Sequence, residues 1–327
     1  MKIDLSSKYS QILTIIISIT FSFFLIRCIS LSWLSRIYAL KATEQWIEEA
    51  ISSTPDNPDN YLLLATYLNL ENTEDTERIL MNYKKALELG PFNYNYWLSL
   101  SEFLINKDYD EKAIYTLKIA TDLAPGIVSL RWNAALLALE LNRQDMVISN
   151  FRKVISVDPA RRSLAFAALR QYIRDPDRIL DAIPEKILPS YLVFLMNSNK
   201  LDDSKVVFNK LKNNGGIPDS LFLDYVNFTI YKGDILFAKG LWSERYGNWD
   251  GVWNPSFESE PLNRGFDWRF NTHVDGAEIL RVKGGIDGNY SVEVIFDGTQ
   301  NLDFTQFGQI VPVEPSHGRR PIDRETI

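Results

Sequence analysis

The sequence predicts a mainly α-helical protein: an N-terminal transmembrane helix, an α-solenoid of stacked helix pairs, and a partial β-sandwich at the end. Three observations carry that expectation. Residues 12–31 form a long, mainly apolar run, prolines recur at 55, 91, 125 and 159, and after Gly247 the apolar residues change from helical to alternating spacing.

With 327 residues the chain is long enough for two or more domains, at roughly 150 residues each. Hydrophobic residues make up 46% and charged residues 24%, a composition that supports a sizeable core and argues against disorder. The net charge of −7 argues against coating a phosphate backbone, so no nucleic-acid partner is expected. Cys28 is the single cysteine, so no intramolecular disulfide forms and cysteine usage assigns no compartment.

The first element follows from "ILTIIISITFSFFLIRCISL", residues 12–31, which holds one charge, Arg27. Its length matches the ~20 residues of a membrane span, and Arg27 lies near the end, where a long side chain reaches the headgroups. A cleaved signal peptide and a buried core helix are the competing readings. No small-residue cleavage site follows, and the apolar run exceeds a usual signal core. We therefore assign residues 1–9 to a tail and residues 10–31 to an uncleaved anchor. Lys2 and Lys8 before the span nearly balance Arg27, Arg36 and Lys41 at its far end and beyond, so charge alone leaves the orientation open.

The solenoid follows from the prolines, which lie 36, 34 and 34 residues apart, each after an amphipathic stretch such as "YKKALELGP" or "LKIATDLAP". Residues 94–127 carry Trp97, Leu100, Ser101 and Leu104, then Ala113, Leu117, Ala120 and Pro125. Residues 58–93 carry Tyr61, Leu64, Ala65 and Leu68, then Ile79, Tyr83, Ala86 and Pro91, with two extra residues between the helices. In residues 128–161 Arg131 takes the tryptophan position and Trp132 follows one place later, so this copy is degenerate. The small residues let helices approach, the large ones fill between them, and each proline ends a helix.

That pattern resembles the tetratricopeptide repeat family, over residues 40–160. The resemblance implies stacked helix pairs, a non-catalytic binding scaffold, and a concave surface lined by the first helix of each pair. It would place Asn95, Glu102 and Trp132 in a protein-binding groove. The plainer reading makes Glu102 a solvated carboxylate and Trp132 a core residue. Residues 161–247 keep the helical rhythm without the period and read as divergent pairs, with Asp202 and Asp219 as start signals and Gly215 and Gly247 as stops.

In residues 251–315 "ILRVKGG" and "YSVEVIF" alternate as half-buried strands, and "GGIDGN" supplies a turn. The segments "NPSFE", "GFDW", "GNYSVEV" and "FGQIVPVEP" resemble the carbohydrate-binding-like, galactose-binding-like jelly rolls. A jelly roll needs about eight strands; four are visible here before the polar tail 316–327. The module therefore reads as truncated, with its apolar face exposed. The resemblance implies sugar contact at Trp253, Phe266 and Trp268 and a possible structural calcium at Glu258. The alternatives are that these aromatics form a core or that the truncated module holds no stable structure.

The search for chemistry yields no catalytic residues. His273 and His317 have no metal-ligand partners at useful spacing, and Cys28 lies in the apolar span. Glu258, Glu260 and Asp267 cluster within ten residues, where a glycosidase pair is conceivable, but turn and solvated roles explain them equally. No cofactor is expected beyond that calcium. The combination of anchor, repeats and C-terminal module resembles proteins of bacterial exopolysaccharide production and export. It implies a single-pass protein of the bacterial inner membrane with its bulk in the periplasm, protein partners in the groove, and a polysaccharide as a further partner. The competing function is polysaccharide binding through the C-terminal module.

Overall fold

The computed structural model describes residues 8–40, 43–71, 74–270, 273–274, 276–299 and 307–313. Residues 1–7, Lys41, the end of the last predicted strand, and the tail 316–327 with His317 lie outside them. The described residues are mainly helical and divide into two compact units, residues 1–182 and 183–327.

The first unit opens with α1 (Lys8–Leu40), one unbroken helix of 33 residues, and α2 (Glu44–Ser53). Three helix pairs follow: α3 (Pro58–Leu70) with α4 (Thr76–Leu89), α5 (Tyr94–Asn106) with α6 (Asp110–Leu123), and α7 (Val128–Glu140) with α8 (Gln144–Val157). A 3-10 turn (Pro159–Arg161), α9 (Arg162–Tyr172) and α10 (Pro176–Ala182) close the unit. Starts are written in the chain: Asn57 and Asn93 accept from the backbone N–H groups of Asp59 and Asn95, both at 3.1 Å. The core takes one stripe from each helix, with Ile79, Phe103, Leu117 and Phe151 fully buried.

The helix pairs are held by contacts that recur with the repeat. Tyr61 Oη donates to the Pro55 carbonyl at 3.0 Å and Trp97 Nε1 to the Pro91 carbonyl at 2.8 Å. Arg131 makes the equivalent bond to Pro125 with its Nε, at 3.3 Å. Across neighbouring second helices, Arg78 pairs with Glu44 and Glu48, Arg143 with Glu111, and Arg178 with Asp145. The expected gap between anchor and repeats is filled by helix. Ser35 of α1 is buried, and its hydroxyl meets the Ala50 carbonyl, Thr54 Oγ1 and Asn60 Nδ2. The last turns of α1 thus serve as the first helix of a pair with α2.

In the second unit a 3-10 turn (Glu185–Ile187) precedes α11 (Leu188–Asn197), paired with α12 (Leu201–Asn213), and α13 (Asp219–Tyr231), paired with α14 (Ile235–Tyr246). Gly247, at φ 97°, ends α14. Among the described residues five short strands follow: β1 (Arg269–Phe270), β2 (His273–Val274), β3 (Ala277–Lys283), β4 (Tyr290–Phe296) and β5 (Phe307–Gly308). They form an antiparallel pair β1–β5 and an antiparallel sheet ordered β2–β3–β4. Neither amounts to the predicted jelly-roll sandwich. As expected for a bare apolar face, Ile295 and Phe296 of β4 stay 45% and 56% exposed, while the segment before the strands packs on α13 and α14. Trp242 of α14 meets Trp253 and Phe266 edge-on at 5.7 and 5.9 Å, and Asn227 of α13 accepts from Gly265 N at 2.7 Å.

Candidate binding groove on the first helices

The first helices α3, α5 and α7 pack in sequence, α3 on α5 and α5 on α7, and α5 and α7 supply the residues singled out in the sequence. Asn95 stands in the first turn of α5 with its side chain exposed. Glu102, two turns on, is also exposed. Partial burial of its carboxyl, then the charge of Glu140 on α7, push its pKa above the usual carboxylate range. Tyr83 is fully buried beneath; burial and then Glu102 hold its hydroxyl protonated well above the ordinary tyrosine range. Among the described residues neither Glu102 nor Glu140 has an ion-pair partner.

Trp132 is half-buried and meets Phe151 of α8 edge-on at 5.5 Å, so much of its ring belongs to the α7–α8 core. Leu136, one turn on, is 38% exposed and adds apolar surface beside Glu140. Glu140 and Leu136 escaped the sequence reading, although both follow from counting 34 residues on from Asn106 and Glu102. Arg131 is a structural residue: it also donates to Asn150 Oδ1 at 3.0 Å and to the Thr121 carbonyl at 2.9 Å. The face combines carboxylates with apolar patches, which suits an extended segment carrying a basic side chain.

The C-terminal candidates are placed differently. Phe266 is fully buried among Trp242 and Trp249, which leaves it no face for a sugar ring. Trp268 stacks on Phe307 at 4.6 Å and 4°, packs on Phe257, and gives its indole N–H to the Asn254 carbonyl at 2.9 Å. Trp253 is half-buried against Trp242, Tyr246 and Trp249. These aromatics mainly build a core.

The clustered carboxylates are also separated by role. Glu258 Oε1 accepts from the backbone N–H groups of Asn289 and Tyr290, and Oε2 from the Asn289 side chain at 3.1 Å. Those bonds, from Asn289 first, hold its pKa below the usual range and anchor the β3–β4 turn. Glu260 pairs with Arg281 at 3.0 Å. Asp267 is buried and accepts from Leu262 N and Trp268 N at 2.8 Å; burial nonetheless raises its pKa. Among the described residues no group of three His, Cys, Asp or Glu side chains is placed to hold a metal.

Comparison with protein-family models gives no match, and none is found among curated proteins. Solved structures do align. That from the functional characterisation of Pseudomonas aeruginosa pilF is 16% identical, over 67% of this chain and 92% of the other, at a TM-score of 0.34. YrrB, a TPR protein with an unusual peptide-binding site, is 15% identical, over 62% and 91%, at 0.33. A tetratricopeptide repeat protein from Parabacteroides merdae is 16% identical, over 66% and 90%, at 0.37. Scores of this size leave the assignment of helix pairs to the chain's own recurring contacts.

Proposed function

We propose that the protein is a non-catalytic, membrane-anchored scaffold that binds protein segments in the groove of its first helices. The observation that carries this reading is the row of Asn95, Glu102, Leu136 and Glu140, exposed on α5 and α7 with carboxylates that no cation of the described chain pairs. Such a face supports capture of an extended basic and apolar segment. The anchor rests on α1, whose side chains from Ile16 to Ile29 are mostly exposed and apolar. Packing of Ser35 against α2 favours a retained helix over a removed leader. Following the sequence resemblance, we place the scaffold in a bacterial inner membrane with its bulk in the periplasm, serving envelope polysaccharide assembly.

A photo-crosslinking residue at Asn95, compared with one at Met81 on α4, tests the groove. Capture of one defined protein from position 95 and not 81, lost with Glu102→Lys, is the expected result. Equal capture from both positions, unchanged by Glu102→Lys, overturns it. For orientation, a reporter fused after residue 250 should be active as a periplasmic enzyme; activity only as a cytoplasmic one reverses the placement.

A further inference from the structure

The continuity of α1 has a geometric consequence for the repeats. Lys8 and Arg36 are 28 residues apart on one helix, or about 42 Å at 1.5 Å per residue, close to a bilayer with its headgroups. Trp33, 66% exposed, lies three residues inside Arg36, at the depth where aromatic side chains settle in the interface. Ser35 is two residues further, and it is the point at which the first repeat is clamped. Its hydroxyl is shared by the Ala50 carbonyl, Thr54 Oγ1 and Asn60 Nδ2, within 2.8 to 3.3 Å. Helix α2 therefore returns along α1, and the turn at residues 54–57 comes back to the level of Ser35.

The next turn lies beside it. Asp59, at the start of α3, accepts from the Tyr96 hydroxyl at 2.6 Å. Gly90 stands so near that an added Cβ would come 3.5 Å from Pro58 and closer still to the Tyr96 ring. Residues 90–93 thus sit on the same edge as residues 54–57, and Phe92 at their tip is 84% exposed. A phenylalanine at that exposure in a turn is unexplained by the packing of the helix pairs. The turns between first and second helices, residues 107–109 among them, lie at the opposite edge.

We infer that the edge of the solenoid bearing these second-to-first-helix turns rests on the bilayer surface, with Phe92 in the interfacial layer near Trp33. This rests on the proposed membrane anchor. Asp56 and Asp59 flank the contact, so its attraction is apolar rather than electrostatic, and neutral lipid is the fitting partner. The anchor and first repeat then act as one rigid piece that fixes how the groove stands over the membrane.

The test uses the full chain reconstituted in phosphatidylcholine vesicles, with an environment-sensitive fluorophore on single cysteines and lipid-borne quenchers. Native Cys28 reports the anchor; Phe92→Cys and Asp110→Cys, each with Cys28→Ser, report the two edges. The expected result is deep quenching at position 28 and about twofold or greater shallow quenching at 92 relative to 110. Quenching at 28 with 92 no different from 110 overturns the surface contact and leaves the anchor standing. No quenching at 28 overturns the anchor and the contact with it.

Discussion

Arg131 stands where two other repeats have an aromatic residue whose polar tip reaches the carbonyl of the preceding proline. Its guanidinium keeps that bond and adds Asn150 and Thr121, so a position that breaks the sequence pattern preserves its hydrogen bonding. Gly265 is fixed for a different reason. At φ 62° it lies in the left-handed region, and a Cβ would overlap the Trp242 ring. Gly265→Ala should therefore cost about 2–4 kcal/mol, combining backbone strain with overpacking, measured by urea unfolding. Glu102 supplies a pH test. Its folded pKa is raised, so the folded chain holds the proton more tightly than the unfolded one, and the penalty grows as pH rises through that interval. Glu102→Gln should be the more stable form at neutral pH, and the gain should vanish below pH ~4, where unfolded glutamate is protonated. A gain that persists at acid pH would rule out this origin.

At the scale of elements, four helix pairs, two in each unit, share one turn. Asp108, Asn142, Asn199 and Gly233 follow the first helix with φ of 58°, 52°, 58° and 81°. In each case the third residue after the helix end donates back five positions: Tyr109 to Leu104, Arg143 to Ala138, Lys200 to Leu195, and Asp234 to Thr229. Asn199 and Gly233 are 34 residues apart, like Asp108 and Asn142. Nine residues beyond these four stand Leu117, Phe151, Phe208 and Trp242, each at most 1% exposed. The 34-residue period thus resumes in the second unit. It was hidden in the sequence because the proline that punctuates earlier copies is Gly216 here, with Pro218 two places later. The exposure of Asn95 and Glu102 on α5 was legible by counting within one repeat. The fates of Phe266, Trp268 and Glu258 were not, since each depends on Trp242, Phe307 or Asn289, distant in sequence. If the turn sets the pair, Asn199→Gly should change stability by less than about 0.5 kcal/mol, whereas Asn199→Val should cost about 1–2 kcal/mol. Thermal unfolding of both variants checks this, and equal effects would remove the backbone explanation.

For the whole molecule, the junction at Ser35 decides where the chain can be shortened. Read from the sequence, the anchor ends at residue 31 and the repeats begin at 40, so a start at residue 40 looks safe. The structure shows otherwise, because α2 buries Ile47 and Ala50, and Asn60 relies on Ser35 for one of its three bonds. A chain starting at residue 32 keeps that helix face while losing the apolar stretch, and should leave the membrane fraction as a folded soluble protein. A chain starting at residue 44 strips α2 of its partner and leaves Asn60 incompletely bonded inside an opened core. Two lost buried contacts of this kind cost about 2–5 kcal/mol in total, a large share of the stability of an end repeat. Amide hydrogen exchange should then show α2 and the start of α3 unprotected in the shorter chain and protected in the longer one. The full-length protein should stay with membranes through carbonate extraction. Equal protection in the two shortened chains would mean that α1 contributes a membrane span only, and that the first repeat folds without it.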